Sequence, residues 1–242
     1  TETDPALDLA EAYRIGAEIR RLRELRGERQ VGRKLGFTNT TIWEEYNVDA
    51  PFWAPVYNTT VQPLPDRFAL KAMAEPRLEP EIVLRLGRSP EPGMSEADLI
   101  GCVGEVAHGF EVVQSPFPGW RFRAPDTVAA CGRRGALLHG PFHPLTDETR
   151  DAWRARLADF SITLHGNGVL ADEGHSANVL SGGPLAALAH LVELLAQDPD
   201  APPLAAGEVV TTGTLTRALP VARGETWRTE ITGLPIEGLR IS

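Results

Sequence analysis

Glu79-Pro80-Glu81 places two carboxylates one residue apart at the head of Ile82-Val83-Leu84-Arg85-Leu86, a run with the apolar, β-branched content of a strand. Alternate side chains of a strand point to the same face, so Glu79 and Glu81 converge on one point. Two anions so placed repel each other, and a cation between them removes the cost. With only two cysteines in the chain, the hard carboxylate oxygens favour Mg²⁺ or Mn²⁺ over zinc as that cation. A third carboxylate, Glu111 in the β-rich Gly109-Phe110-Glu111-Val112-Val113, reaches the same point if the two strands are neighbours. The alternative is a pair of solvated acids on an edge strand, where charge and proline discourage sheet-to-sheet pairing.

The elements that must hold these side chains follow from periodicity. Residues 4–26 carry Leu7, Leu9, Ala10, Tyr13, Ile15, Ile19, Leu22 and Leu25 at helical spacing, which predicts an N-terminal helical segment over 1–30 with Gly27 as its stop. Residues 31–242 form the body. In 31–61 short apolar pieces alternate with Gly, Thr, Asn and Pro, and Phe37, Trp43, Tyr46, Phe52, Trp53 and Tyr57 crowd together. This predicts a loop-rich lid or pocket wall at about 38–60, with a packed aromatic cluster as the alternative.

Strands are expected at 68–73, 82–86 and 102–113, with room for a crossover between the last two and a loop at 90–99 leading into a short helix. A short helix or turn at 126–130 and a strand at 135–138 follow. The strands 160–164 and 169–170 meet across His165-Gly166-Asn167-Gly168 as a hairpin. The stretch 184–197 reads as a helix with proline in its first turn and Leu185, Leu188, Leu191, Leu194 and Leu195 on one side. Strands at 209–212, 227–231 and 239–241 complete the chain.

At 242 residues the chain can bury a sizeable core, and its 23 glycines and 20 prolines indicate a turn-rich, β-rich body. A net charge of −9 argues against nucleic acid or an anionic membrane as partner. Cys102 and Cys131 have no CxxC spacing, which suits free thiols in a reducing cytoplasm. No apolar run approaches the roughly 20 residues of a membrane span, and the acidic N-terminal residues lack the form of a signal peptide, so a cytoplasmic protein is expected.

Several stretches, in order, resemble the fumarylacetoacetate hydrolase superfamily and, within it, the branch of 2-keto-4-pentenoate hydratases and 4-oxalocrotonate decarboxylases. They are Gly32-Arg33-Lys34-Leu35-Gly36-Phe37-Thr38, Glu79-Pro80-Glu81-Ile82, Gly109-Phe110-Glu111-Val112-Val113, Trp120 with Asp126-Thr127-Val128-Ala129, Val179-Leu180-Ser181-Gly182-Gly183-Pro184-Leu185, and Leu204-Ala205-Ala206-Gly207-Glu208-Val209-Val210-Thr211-Thr212-Gly213. The resemblance implies an α+β, mostly β fold: a twisted mixed β-sheet roll with N-terminal helices. It also implies Mg²⁺ or Mn²⁺ held by Glu79, Glu81 and Glu111, a small 2-oxo acid chelating that ion, and a homo-oligomer of two or more chains. Lys34 matches the lysine of a Gly-x-Lys-x-Gly motif whose glycines let backbone approach a ligand. There it would shuttle a proton or neutralise an anionic substrate; the alternative is a solvated surface lysine.

Departures from that pattern bear on the reaction. Hydratases of the branch carry an acidic residue after the proline of a Val-x-x-Pro segment, whereas Val48-Asp49-Ala50-Pro51 is followed by Phe52. An acid/base partner for Lys34 would then have to come from Asp49, Glu44 or Glu45. Arg123 stands where relatives have lysine, and offers a bidentate clamp for a substrate carboxylate or a surface ion pair. Ala130-Cys131-Gly132-Arg133-Arg134 replaces a serine-containing stretch and suggests a different substrate tail. Asp126 supports the site by hydrogen bonds or caps the helix that follows it. Thr214, in Thr212-Gly213-Thr214, would contact the substrate carboxylate. His108, three residues before Glu111, reads as a satisfied core histidine or one that supports a metal ligand from behind, with a pocket-facing imidazole as the alternative, and His165 and His175 have no metal-ligand spacing.

The expected function is therefore a divalent-metal-dependent lyase of hydratase or decarboxylase type, acting on a small 2-oxo acid or its enol. The alternatives are an acylpyruvate-type C–C hydrolase using Glu44 or Glu45 as base, and a binding protein that retains the metal without turnover.

Overall fold

The computed structural model describes residues 6–70 and 73–242. In chain order the elements are helix α1 (Leu9–Leu25), strand β1 (Gln30–Gly36), helix α2 (Trp43–Tyr46), strands β2 (Phe52–Tyr57), β3 (Val61–Pro63) and β4 (Arg77–Leu86), helix α3 (Glu96–Ile100), strand β5 (Val103–Val113), helix α4 (Ala124–Ala129), strands β6 (Arg134–His139) and β7 (His143–Pro144), helix α5 (Arg150–Ala158), strands β8 (Ser161–Gly166) and β9 (Val169–His175), helix α6 (Pro184–Gln197), and strands β10 (Val209–Thr214), β11 (Leu219–Pro220), β12 (Trp227–Thr232) and β13 (Arg240–Ile241).

The longest strands, β4 and β5, pair antiparallel at the middle of a curled, mixed sheet ordered β2-β1-β10-β4-β5-β6-β3, with β11 added to β4 and β7 to β5. The pairs β1 with β10 and β3 with β6 are parallel. Strand alternation sorts the side chains. Ile82, Leu84 and Leu86 of β4 and Val106 of β5 lie in the outer core, against Leu99 and Ile100 of α3, Trp153 and Leu157 of α5 and Leu185, Leu188 and Leu191 of α6. Val83, Ala107, Leu137, Val56 and Val209 meet on the inner, concave face. By the same alternation Glu79, Glu81 and Glu111 also belong to the inner face.

A second sheet, β13-β12-β8-β9, covers the outer face at the other end, with Phe110, Val112 and Leu138 of the main sheet packed on Leu164, Trp227, Leu239 and Ile241. One polar link crosses this core. His108 is wholly buried, with Nδ1 at 2.9 Å from the Glu81 carbonyl oxygen and Nε2 at 2.9 Å from Thr229 Oγ1. A carbonyl oxygen only accepts, so Nδ1 carries the proton and Nε2 accepts from the threonine hydroxyl. The buried, satisfied histidine expected from the sequence is the one present.

Edge strand β2 is covered by α1: Tyr13 stacks on Trp53 at 5.8 Å and its hydroxyl accepts from Trp53 N, while the Arg23 guanidinium lies 4.0 Å above the Tyr57 ring. Three expectations therefore change. Within the segment 38–60, residues 52–57 are strand β2, buried throughout, because it pairs with β1 and lies under α1; a short helical turn precedes it. Residues 31–36, read as loop, are an interior strand, and Gly32 is there because the β10 backbone comes so close that a Cβ would stand 1.9 Å from Val209 O. No crossover separates β4 from β5, which are antiparallel neighbours.

The expected helix over 126–130 begins two residues earlier, and α5 and the short β3, β7 and β11 were not anticipated. Residues 68–70 and 73 are not strand; 71–72, and residues 4 and 5 of the N-terminal helix reading, lie outside the described residues. The 160s hairpin, the helix Pro184–Gln197 and the three last strand regions stand as expected.

Burial pushes the His108 imidazole down to about 4. An unfolded chain takes up that proton near pH 6.5 while the fold does not, so this group's contribution is present above pH 6.5 and is lost as pH falls toward 4. The expected outcome is that the difference in urea-unfolding free energy between wild type and His108→Leu shrinks by up to roughly 3 kcal/mol over that window. A pH-independent difference would show that the imidazole is not held neutral.

Candidate metal centre

The β4 and β5 register sets Glu79 directly opposite Glu111 and Glu81 opposite Gly109. Like charges facing each other across a ladder destabilise a sheet. Here one oxygen from each of Glu79, Glu81 and Glu111 lies within 4.8 Å of the others, and Glu81 and Glu111 are buried. Lys34, on the inner face of β1, is 3% exposed and donates from Nζ to Glu111 Oε1 at 2.9 Å and to the Gly132 carbonyl at 3.2 Å.

The second fixed oxygen is set by an irregularity in β10. Register shifts between Thr211 and Thr214, and the displaced Gly213 N–H donates to Glu81 Oε2 at 3.0 Å. Only glycine suits the position: φ is +91°, and a Cβ would stand 1.8 Å from Thr38 Oγ1.

Desolvation raises the Glu81 carboxyl well above its ordinary range, and the neighbouring Glu111 and Glu79 charges raise it further, against the pull of Lys34. The donor set consists of three carboxylates and no thiolate or imidazole, which suits a hard divalent cation such as Mg²⁺ or Mn²⁺.

A narrow cavity opens onto this cluster, walled by Phe37, Phe52 and Trp120 and reached by Lys34, Glu79, Glu81 and Thr214. Two of the walls hold uncommon backbone: Phe37 and Trp120 have φ of 59° and 60°. Trp120 is secured by its indole N–H on the Glu75 carbonyl at 2.9 Å and by Arg77, whose guanidinium lies 4.2 Å over its ring. Of the aromatics grouped by sequence, Phe37 and Phe52 reach the cavity, while Trp53 and Tyr57 lie at the α1 contact.

The structure brings together Lys34, Glu79, Glu81, Glu111 and Thr214, but not the other expected residues. Glu44 is exposed on α2, off the cavity wall, as is Asp49; the Glu45 side chain lies outside what is described. Arg123 is exposed, with its guanidinium on the Leu7 carbonyl at 3.1 Å, because α4 starts immediately after it and turns it outward. Asp126 sits in the first turn of α4 and accepts from the Arg123 backbone N–H at 2.8 Å, so it closes the helix end without being its cap. The Thr214 hydroxyl donates to the Thr216 carbonyl at 2.9 Å. Sequence reasoning missed the two backbone groups that hold the site, Gly213 N–H and Gly132 C=O; the Thr-Gly-Thr step was the signal for the first.

Comparison with known proteins agrees with this geometry. The sequence profile of the fumarylacetoacetate (FAA) hydrolase C-terminal family matches residues 44–240, and the chain belongs to that family. It is 30% identical over 237 residues to the 2-hydroxyhexa-2,4-dienoate hydratase of Comamonas testosteroni, covering 97% of this chain and 86% of that protein. With the 2-keto-4-pentenoate hydratase of Burkholderia vietnamiensis it shares 31% over 234 residues, covering 96% and 86%. The solved 4-oxalocrotonate decarboxylase from Pseudomonas putida G7, complexed with magnesium and adipate, superposes with a TM-score of 0.86 at 26% identity, covering 98% of this chain and 86% of that one.

Because the Glu81 carboxyl is raised, its favourable contribution is complete at low pH and is lost as pH rises. A divalent cation competes with protons for these oxygens, so the gain in Tm on adding Mg²⁺ is expected to be larger at about pH 8 than at about pH 5. Gly213→Ala should abolish that gain and cost roughly 1–3 kcal/mol in stability. A Mg²⁺ shift that is equal at both pH values would contradict the raised carboxyl.

Proposed function

We propose that this protein is a divalent-metal-dependent lyase, of hydratase or decarboxylase type, acting on a small 2-oxo acid or its enol. The observation that carries the reading is the convergence of Glu79, Glu81 and Glu111 beside the buried Lys34, on a fold shared with hydratases and a decarboxylase. Glu79, Glu81 and Glu111 would hold the cation. When bound, it supplies a Lewis acid for the 2-oxo group and the negative charge that grows there as a C–H or C–C bond breaks.

The rest is the work of the chain itself. Gly213 N–H keeps Glu81 in place, and Lys34 keeps Glu111 in place. Among the described residues on the cavity wall Lys34 is the ionisable group other than carboxylates, so proton delivery to and from the substrate carbon falls to its Nζ. Phe37, Phe52 and Trp120 exclude water from the reacting atoms. Glu44 is exposed and off the cavity wall, which does not support it as a hydrolytic base. Ile15, Leu22 and Leu25, exposed along α1, support assembly as a homo-oligomer, and the two free thiols support a cytoplasmic setting.

The test is a panel of small 2-oxo acids and their enols with Mg²⁺, followed by enol absorbance. Turnover that needs the metal and disappears in Glu81→Gln is expected. Stabilisation by Mg²⁺ and oxalate without turnover of any member would instead mark a binding protein. Lys34→Met should lower kcat by about 10²-fold or more while Mg²⁺ still raises Tm; unchanged kcat would remove Lys34 from the chemistry.

A further inference from the structure

We infer that His108 is a positioning residue for the metal centre: it anchors the main chain of Glu81 from the outer face of the sheet and ties it through Thr229 to the second sheet. The inference rests on the metal-dependent reading above. Its basis is a hydrogen-bond chain that can run in one direction only. Leu239 N–H donates to Thr229 Oγ1 at 2.9 Å, the threonine hydroxyl donates to His108 Nε2 at 2.9 Å, and Nδ1–H donates to the Glu81 carbonyl at 2.9 Å. His108 is wholly buried and Thr229 is 4% exposed, so water does not compete for these partners.

The placement of the chain explains why a polar group is used there. Glu81 lies beside the β10 irregularity, where the ladder is interrupted and the next carbonyl, that of Ile82, takes the Thr212 hydroxyl at 3.1 Å. A ligand next to a broken ladder needs another restraint. Glu81 has one on each side of the sheet: Gly213 N–H on its carboxylate at 3.0 Å, and His108 on its main chain. The neighbouring Phe110, its ring 5.6 Å from the imidazole, shows that an apolar ring is accommodated in this core. An apolar residue at 108 would fill space without fixing Glu81, whereas burying an imidazole is costly unless both nitrogens are bonded.

The experiment measures Mg²⁺ affinity by calorimetry, together with Tm in the absence of metal, for wild type, His108→Leu, His108→Gln and Thr229→Val. We expect His108→Leu to weaken Mg²⁺ binding about tenfold or more. Thr229→Val should weaken it less, and His108→Gln, which keeps a donor and an acceptor, should recover part of the loss. A merely structural role would lower Tm and leave the affinity alone, so a Mg²⁺ affinity within about twofold of wild type in His108→Leu overturns the inference. Should that variant not fold, unchanged affinity in both other variants overturns it equally. If wild type itself fails to bind Mg²⁺, the metal reading falls, and this inference with it; that outcome is distinct from a wild type that binds and variants that match it.

Discussion

Three carboxylates share a space less than 5 Å across, two of them shut away from water, and the rest of the structure is arranged to tolerate this. At an effective dielectric of about 20 each like-charged pair at that separation repels by about 3 kcal/mol, so three pairs together oppose folding by roughly 10 kcal/mol. Whole domains are stable by only about 5–15 kcal/mol. One ammonium, Lys34, offsets part of the repulsion. A proton on Glu81, whose carboxyl is raised, meets part of the remainder; under the proposed function a divalent cation would take that place.

The fold holds these groups apart from solvent and together with one another by ordinary means. Antiparallel pairing of β4 and β5 sets Glu79 against Glu111; parallel pairing of β1 with β10 brings Lys34 alongside; the β10 irregularity releases the Gly213 N–H to Glu81. The ion pair of the buried Arg33 with the partly exposed Glu208, at 3.1 Å, fixes β1 to the turn that begins β10, one residue from Lys34. Strands, rather than loops, therefore carry every charged group of the centre, and two of the three aromatic walls, Phe37 and Trp120, have positive φ.

The carboxylate triplet was legible in the sequence because strand alternation is strict: Glu79 and Glu81 had to share a face, and Glu111 sits in an equally clear strand. The helix Pro184–Gln197 and the Asn167-Gly168 hairpin were legible for the same reason, a clean period or an unmistakable turn. Strand β1 was hidden by its composition. Gly32-Arg33-Lys34 looks like loop until Glu208 accounts for the buried Arg33 and β10 for the close approach at Gly32. Helix α5 has, besides three alanines, only the buried Trp153 and Leu157 as large apolar residues, too few to announce a period. Arg123 and Glu44 lie off the cavity wall, because spacing to a motif says nothing about which way a short helix turns the side chains on it and beside it.

The most direct test of the central claim is anomalous scattering from crystals grown with Mn²⁺. One strong peak is expected, bounded by the carboxylates of Glu79, Glu81 and Glu111, with Lys34 close by. The absence of a peak there, with the three carboxylates in the same arrangement at neutral pH, would show that protons alone hold the cluster together and would contradict the account.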